Sequence, residues 1–160
     1  MAESNQLHAM ELPGFWMDVG QPKDYITGMG LYLSSVAKKN PSELTTGSNI
    51  IGHVLIHPTA TIGRNCKIGP NVVIGPKCVI GDGVRLAKTA VFEGSQVKDH
   101  AWLNTTIIGW HSTVGRWTRL EGVTVLGDDV HISDEVYVNG GSILPHKSVS
   151  NNIPEPTIVM

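Results

Sequence analysis

Among the residues able to do chemistry, Asp18 has the most suggestive setting. It lies in Trp16-Met17-Asp18-Val19-Gly20-Gln21-Pro22, between an apolar stretch and a proline at which a helix can start. A carboxylate at such a junction could hold Mg²⁺ against substrate phosphates, but a hard divalent cation needs several oxygen ligands. One carboxylate is not a site, and from spacing alone a structural turn aspartate is the stronger reading. Seven histidines open a second possibility, metal binding or general-base catalysis of acyl transfer. No H-x₃₋₅-H spacing falls in a plausible cluster, and solvated or hydrogen-bonded histidine is the reading favoured. Gly28-Met29-Gly30 has two glycines of a phosphate loop, yet it falls inside a helical pattern and lacks the third glycine.

These residues must be positioned by a chain whose dominant feature is an apolar residue at every sixth position. The run is Ile50, Ile56, Ile62, Ile68, Ile74, Ile80, Leu86 and Phe92. After a five-residue step come Val97 and Leu103, and after another come Ile108, Val114, Leu120, Leu126, Ile132, Val138 and Leu144. A period of six fits neither a helix nor a long strand; it fits short strands joined by tight turns, a parallel β-helix of hexapeptide repeats. Three hexads close one triangular coil, so Ile56 is expected under Ile74 and Ile74 under Phe92, with Ile108 under Leu126 and Leu126 under Leu144. Compact residues four places on, among them Cys66, Cys78, Ala90, Thr118 and Ser142, are expected to point inward. Asn65, Asn71, Gly83, Asp129 and Gly141 are expected at the corners, because they tolerate positive φ.

This frame sorts the remaining candidates. His100 and His111 fall at corners, His57 directly after a repeat residue and His131 directly before one. Cys66 and Cys78 fall on different faces at small inward positions, which predicts buried, reduced thiols rather than a disulfide. Trp102, Trp110 and Trp117 lie off the core pattern and point outward, with Arg116 and Arg119 beside them. Large aromatics there predict an interface with a second copy or another partner.

The chain divides at the edges of the repeat. Residues 1–20 carry two short apolar runs, Leu7 to Leu12 and Phe15 to Met17, that could be strands of something larger. Residues 21–49 hold a helix opened at Pro22, with Ile26, Met29, Leu33 and Val36 on one face, stopped at Asn40-Pro41 and followed by a linker. Residues 50–149 are the β-helix, and residues 150–160 form a tail. Its apolar end, Ile158, Val159 and Met160, is expected to pack on the prism or on another subunit. The 160 residues carry a net charge of −2 with scattered basic residues, which gives no electrostatic case for nucleic acid or a membrane surface. No apolar run has the length of a signal peptide or a membrane span, so the expectation is a soluble, cytoplasmic protein.

Three stretches together, GFWMDVGQPKDY (residues 14–25), IIGWHSTVG (107–115) and LPHK with PEPTIVM (144–147 and 154–160), resemble the C-terminal part of mannose-1-phosphate guanylyltransferases, closest to the catalytic beta type. The resemblance implies a left-handed β-helix preceded by a connecting helix and the remnant of an α/β nucleotidyltransferase domain. It implies a role in making GDP-mannose from GTP and mannose 1-phosphate, with the β-helix serving oligomerisation or contact with a regulatory paralogue. It also implies that Asp18 helps bind Mg²⁺ with a ligand from an N-terminal half that this sequence does not include, so the chain alone is expected to be inactive. Two other readings stand beside it: a hexapeptide acyltransferase using His100 or His111 as base, and a non-catalytic scaffold.

Overall fold

The structure, a computed structural model, describes residues 8–160. The helix α1 (Pro22–Lys39) runs over the stretch expected for it. Pro22 supplies a preset φ at the first helical position, and the Gln21 N–H donates to the Asp24 carboxylate at 3.1 Å, which satisfies one orphan donor of the first turn. At the other end the Asn40 N–H closes on the Val36 carbonyl at 2.7 Å, and Pro41 ends the helix and opens a 3₁₀ turn, Pro41–Glu43. Residues 8–20 form no strand, and Leu7 lies outside the described residues. The two apolar runs have no sheet here to join, and short strands do not persist alone.

From Ile50 onward the chain winds into a parallel β-solenoid with three faces. Every strand pairs with the one a coil away, in parallel. Each face contributes one inward ladder. The first is Ile56, Ile74, Val91, Ile108, Leu126, Ile143 and Val159. The second is Ile62, Ile80, Val97, Val114, Ile132 and Val149. The third is Ile50, Ile68, Leu86, Leu103, Leu120, Val138 and Ile153. These three columns are the core, and most of their members are at most 3% exposed.

The register corrects two of the expected rungs. Ile74 pairs with Val91 rather than Phe92, and Leu126 with Ile143 rather than Leu144. Five-residue steps therefore fall at Leu86 to Val91, Leu103 to Ile108 and Val138 to Ile143, at the corner between the third face and the first, and the last coil has a four-residue step from Val149 to Ile153 between the second face and the third. At the third-to-first corner the strands Arg85–Val91 and Trp102–Ile108 pass straight around, with one positive-φ residue each, Lys88 and Thr105. A slip of one residue reverses every side chain. Phe92 consequently faces out against Tyr25 and Trp110, Leu144 is exposed, and Ala90 and Ser142 point outward while Thr89 and Gly141 take the inward places.

Corner chemistry departs from expectation in a second way. Asn65, Asn71, Gly83 and Asp129 adopt positive φ, but Gly141 lies in a strand and Gly140 is the corner residue. Lys77, Lys88, Thr105, Trp117, Val123 and Glu135 adopt it too. An L-residue pays roughly 1–2 kcal/mol for that conformation. The compensation is directional: it aims the corner N–H along the prism axis at a carbonyl of the previous coil. The Trp117 N–H reaches the Asp99 carbonyl at 3.1 Å, Lys88 reaches Pro70 at 2.8 Å and Glu135 reaches Arg116 at 2.7 Å.

Helix α1 covers the outer side of the first face. Met29 and Leu33 pack with Ala90 and with Leu55, Val73 and Phe92, and Ile26 and Val36 complete the buried stripe. Gly28 and Gly30 form no phosphate loop and are packing residues of α1. A Cβ on Gly30 would stand 3.2 Å from the Asn71 amide nitrogen, and Gly28 faces Met17 and Val19. The tail is the last coil of the solenoid: Thr157–Val159 pairs with Gly141–Ile143, and Ile153 bridges to Val138.

Candidate functional site

Because each coil repeats the last, side chains on one face stack in columns, and the outward columns are where the candidates stand. On the third face the register sets Arg85, Trp102, Arg119 and Tyr137 one above another. The Arg119 guanidinium lies 4.7 Å from the Trp102 ring centroid and 5.6 Å from that of Tyr137, a cation held between two aromatic rings. Glu121 closes the group, accepting from Arg119 at 3.0 Å and from the Tyr137 hydroxyl at 2.9 Å. The guanidinium first, and the hydroxyl second, hold the Glu121 carboxyl below its ordinary range, and Glu121 in turn raises Tyr137.

The adjoining corner carries Trp117, stacked on His100 at 4.3 Å, and Arg116, whose N–H donates to Asp134 and whose guanidinium lies 3.9 Å from Asp99. Trp102, Arg116, Trp117 and Arg119 thus form one outward surface. Trp110 does not belong to it. It sits at the corner between the first and second faces, half exposed, 4.7 Å from Phe92, which meets Tyr25 of α1 edge-on at 6.2 Å. In the tail Ile158 and Met160 are exposed on the last coil, while Val159 turns inward and packs against the core. Tyr137 and Glu121 escaped the sequence reading, and Phe92, expected in the core, stands outside it. A scan for aromatic and charged residues 17 or 18 places apart would have joined Arg85, Trp102, Arg119 and Tyr137.

Asp18 is exposed in the segment leading into α1. Among the described residues no group of three or more His, Cys, Asp or Glu side chains could hold a metal ion. Taken by itself the described chain does not fit a Mg²⁺ site, since one exposed carboxylate leaves nearly all of an octahedral shell unfilled.

The histidines resolve into corner pairs. His111 lies 3.0 Å from Asp128, and Asp129 lies between His131 at 3.2 Å and His146 at 3.1 Å. The hydrogen bond from His146 leads the causes that lower the Asp129 carboxyl. His53 and His57 flank the strand Val54–Ile56, and His53 stands by Ser34 of α1 at 3.5 Å. Cys66 and Cys78 are buried free thiols, each pushed up mainly by burial, with sulfurs 3.1 Å from the Gly81 carbonyl and 3.0 Å from that of Phe92. A thiol so placed is a small core group and a weak nucleophile.

Inward apolar ladders on three faces, parallel pairing one coil apart and αL corners place this chain in the hexapeptide-repeat class of β-solenoids. Among solved structures it resembles the acetyltransferase domain of PglB from Neisseria gonorrhoeae FA1090 in complex with acetyl coenzyme A. The TM-score is 0.65, with 20% identity over 82% of this chain and 63% of that one, a likeness of fold alone. A family model described as the GMPPB C-terminal domain matches residues 50–159, and the chain belongs to that family. Its relatives include a mannose-1-phosphate guanyltransferase of Hypocrea jecorina, 63% identical over all of this chain and 45% of that protein. Another is a mannose-1-phosphate guanylyltransferase catalytic subunit beta of Danio rerio, 57% identical over all of this chain and 44% of that protein. The chain therefore spans less than half the length of these relatives. Among the described residues no helix is long and apolar enough to cross a membrane.

Proposed function

We propose that this chain is the C-terminal portion of a nucleotidyltransferase that makes GDP-mannose from GTP and mannose 1-phosphate in the cytoplasm. The observation that carries the reading is identity of 57–63% across the whole chain, the segment around Asp18 and helix α1 included, to proteins bearing that activity in their names. In that setting Asp18 would supply one oxygen ligand for Mg²⁺, which would offset the charge of the phosphates, with a further ligand from the portion of the relatives outside this span. The solenoid has the part of an assembly element. Its Trp102–Arg119–Trp117 surface offers aromatic and arginine anchors of the kind that concentrate binding energy, suited to a second copy or a regulatory paralogue.

Acyl transfer has no comparable support. His100 is stacked on Trp117 and His111 is paired with Asp128, both exposed at corners of the prism.

The test is pyrophosphate release dependent on GTP and mannose 1-phosphate. We expect none from the chain alone and release once the N-terminal portion of a relative is added, with Asp18→Asn lowering that restored rate. Release by the chain alone would overturn the reading.

A further inference from the structure

Helix α1 and the corner between the third and first faces enclose a groove of about 490 Å³. Its solenoid wall is the corner column Asn71, Lys88 and Thr105, three successive coils with φ of 56°, 48° and 58°. That conformation turns each N–H into the stack and leaves the side chain outside, toward the helix. The close approach of Gly30 to Asn71 fixes one end of the groove, and Lys23 in the first turn of α1 stands on its helical wall.

The charge of this groove is what sets it apart. Two ammonium groups line it among the described residues, and no Asp or Glu does. Among the described residues neither Lys23 nor Lys88 makes an ion pair, a state shared with Lys38, Lys39, Lys67, Arg85, Lys98 and Lys147; what marks these two is that they line one groove. This occurs in a chain of net charge −2. The amide of Asn71 and the hydroxyl of Thr105 add hydrogen-bonding groups, while Ile26 and Leu31 give an apolar strip along the helix.

We infer that this groove binds a small phosphate-bearing organic molecule, the phosphate between Lys23 and Lys88 and its ring against the apolar strip. A phosphate monoester carries about −1.5 to −2 charges and three strong acceptors, which matches two ammonium groups and neutral donors. The volume and the apolar wall favour an organic ester over the bare ion. Asp18 does not line the groove, and the inference goes beyond the function proposed above.

The experiment titrates the 160-residue chain with guanosine 5′-monophosphate, with guanosine and inorganic phosphate as the two half-ligands, following backbone amide signals in NMR. Saturable shifts centred on Gly30, Asn71, Lys88 and Thr105 are expected from the nucleotide, weaker ones from phosphate and none from guanosine. Lys23→Gln and Lys88→Gln should each weaken binding about tenfold, the scale of one charge-assisted hydrogen bond, while Lys98→Gln on another corner leaves it unchanged. Both lysines are exposed, so unaltered spectra elsewhere report an intact fold. No saturation by about 10 mM, shifts centred elsewhere, or equal loss in Lys98→Gln would overturn the inference.

Discussion

Val123 shows what the coil asks of a single residue. It is β-branched and holds φ of 64° at a corner, a conformation glycine or asparagine adopts at little cost. Val123→Asn should therefore raise stability by about 1 kcal/mol, read as a higher midpoint in chemical denaturation; a lower midpoint would mean that packing at this corner outweighs the backbone. Glu121 makes the second residue-scale case, through pH. Its folded carboxyl lies below the ordinary value of 4.5, because of Arg119 first and Tyr137 second. A depressed carboxylate stabilises fully above its unfolded pKa, and that contribution is lost as pH falls through the folded value. The Tm difference between wild type and Glu121→Gln should accordingly shrink between about pH 6 and pH 3. A constant difference would assign Glu121 a purely steric part.

At the scale of elements, α1 and the solenoid depend on each other unequally. The coil has its own three ladders, whereas the helix has only its stripe on the outer side of the first face. Leu33 is fully buried between them, in a cluster with Met29, Ala90, Leu55, Val73 and Phe92. Leu33→Ala should cost about 2–5 kcal/mol, spent on undocking the helix. Hydrogen exchange should then speed up along Pro22–Lys39 and stay slow in the Leu86, Leu103 and Leu120 ladder. Uniform acceleration would show that the helix and the coil unfold as one unit. The α1 reading was legible in the chain because every signal for it is local: Pro22 at the start, apolar residues at helical spacing, and Asn40-Pro41 at the stop. Its neighbour was not legible, because the groove against Asn71, Lys88 and Thr105 joins residues that only the winding of the coil brings together.

The whole molecule behaves as a stack in which each coil touches only the next. The last coil is closed by Thr157–Val159, so removing residues from Pro154 onward uncovers the Gly141–Ile143 edge and Ile143 beneath it. The expected result is faster exchange confined to residues near 137–149, with protection kept around Val54–Ile56 and Val72–Ile74. Global loss of protection would contradict a nearest-neighbour array. In this respect the tail is part of the fold: Val159 faces the core, while Ile158 and Met160 are exposed.

The sequence by itself determined the period, the helix, the reduced cysteines and the outward tryptophans, since each follows from spacing along a few residues. It could not choose between Val91 and Phe92, or between Ile143 and Leu144. In both pairs two adjacent apolar residues satisfy the period, and only pairing with the coil below selects one. Val91 fits the narrow prism, and the larger Phe92 is accommodated outside between Tyr25 and Trp110. The same pairing decided every functional column. Arg119 between Trp102 and Tyr137, and Lys23 and Lys88 on the walls of one groove, join residues a coil or tens of positions apart, and the winding of the chain alone brings them together.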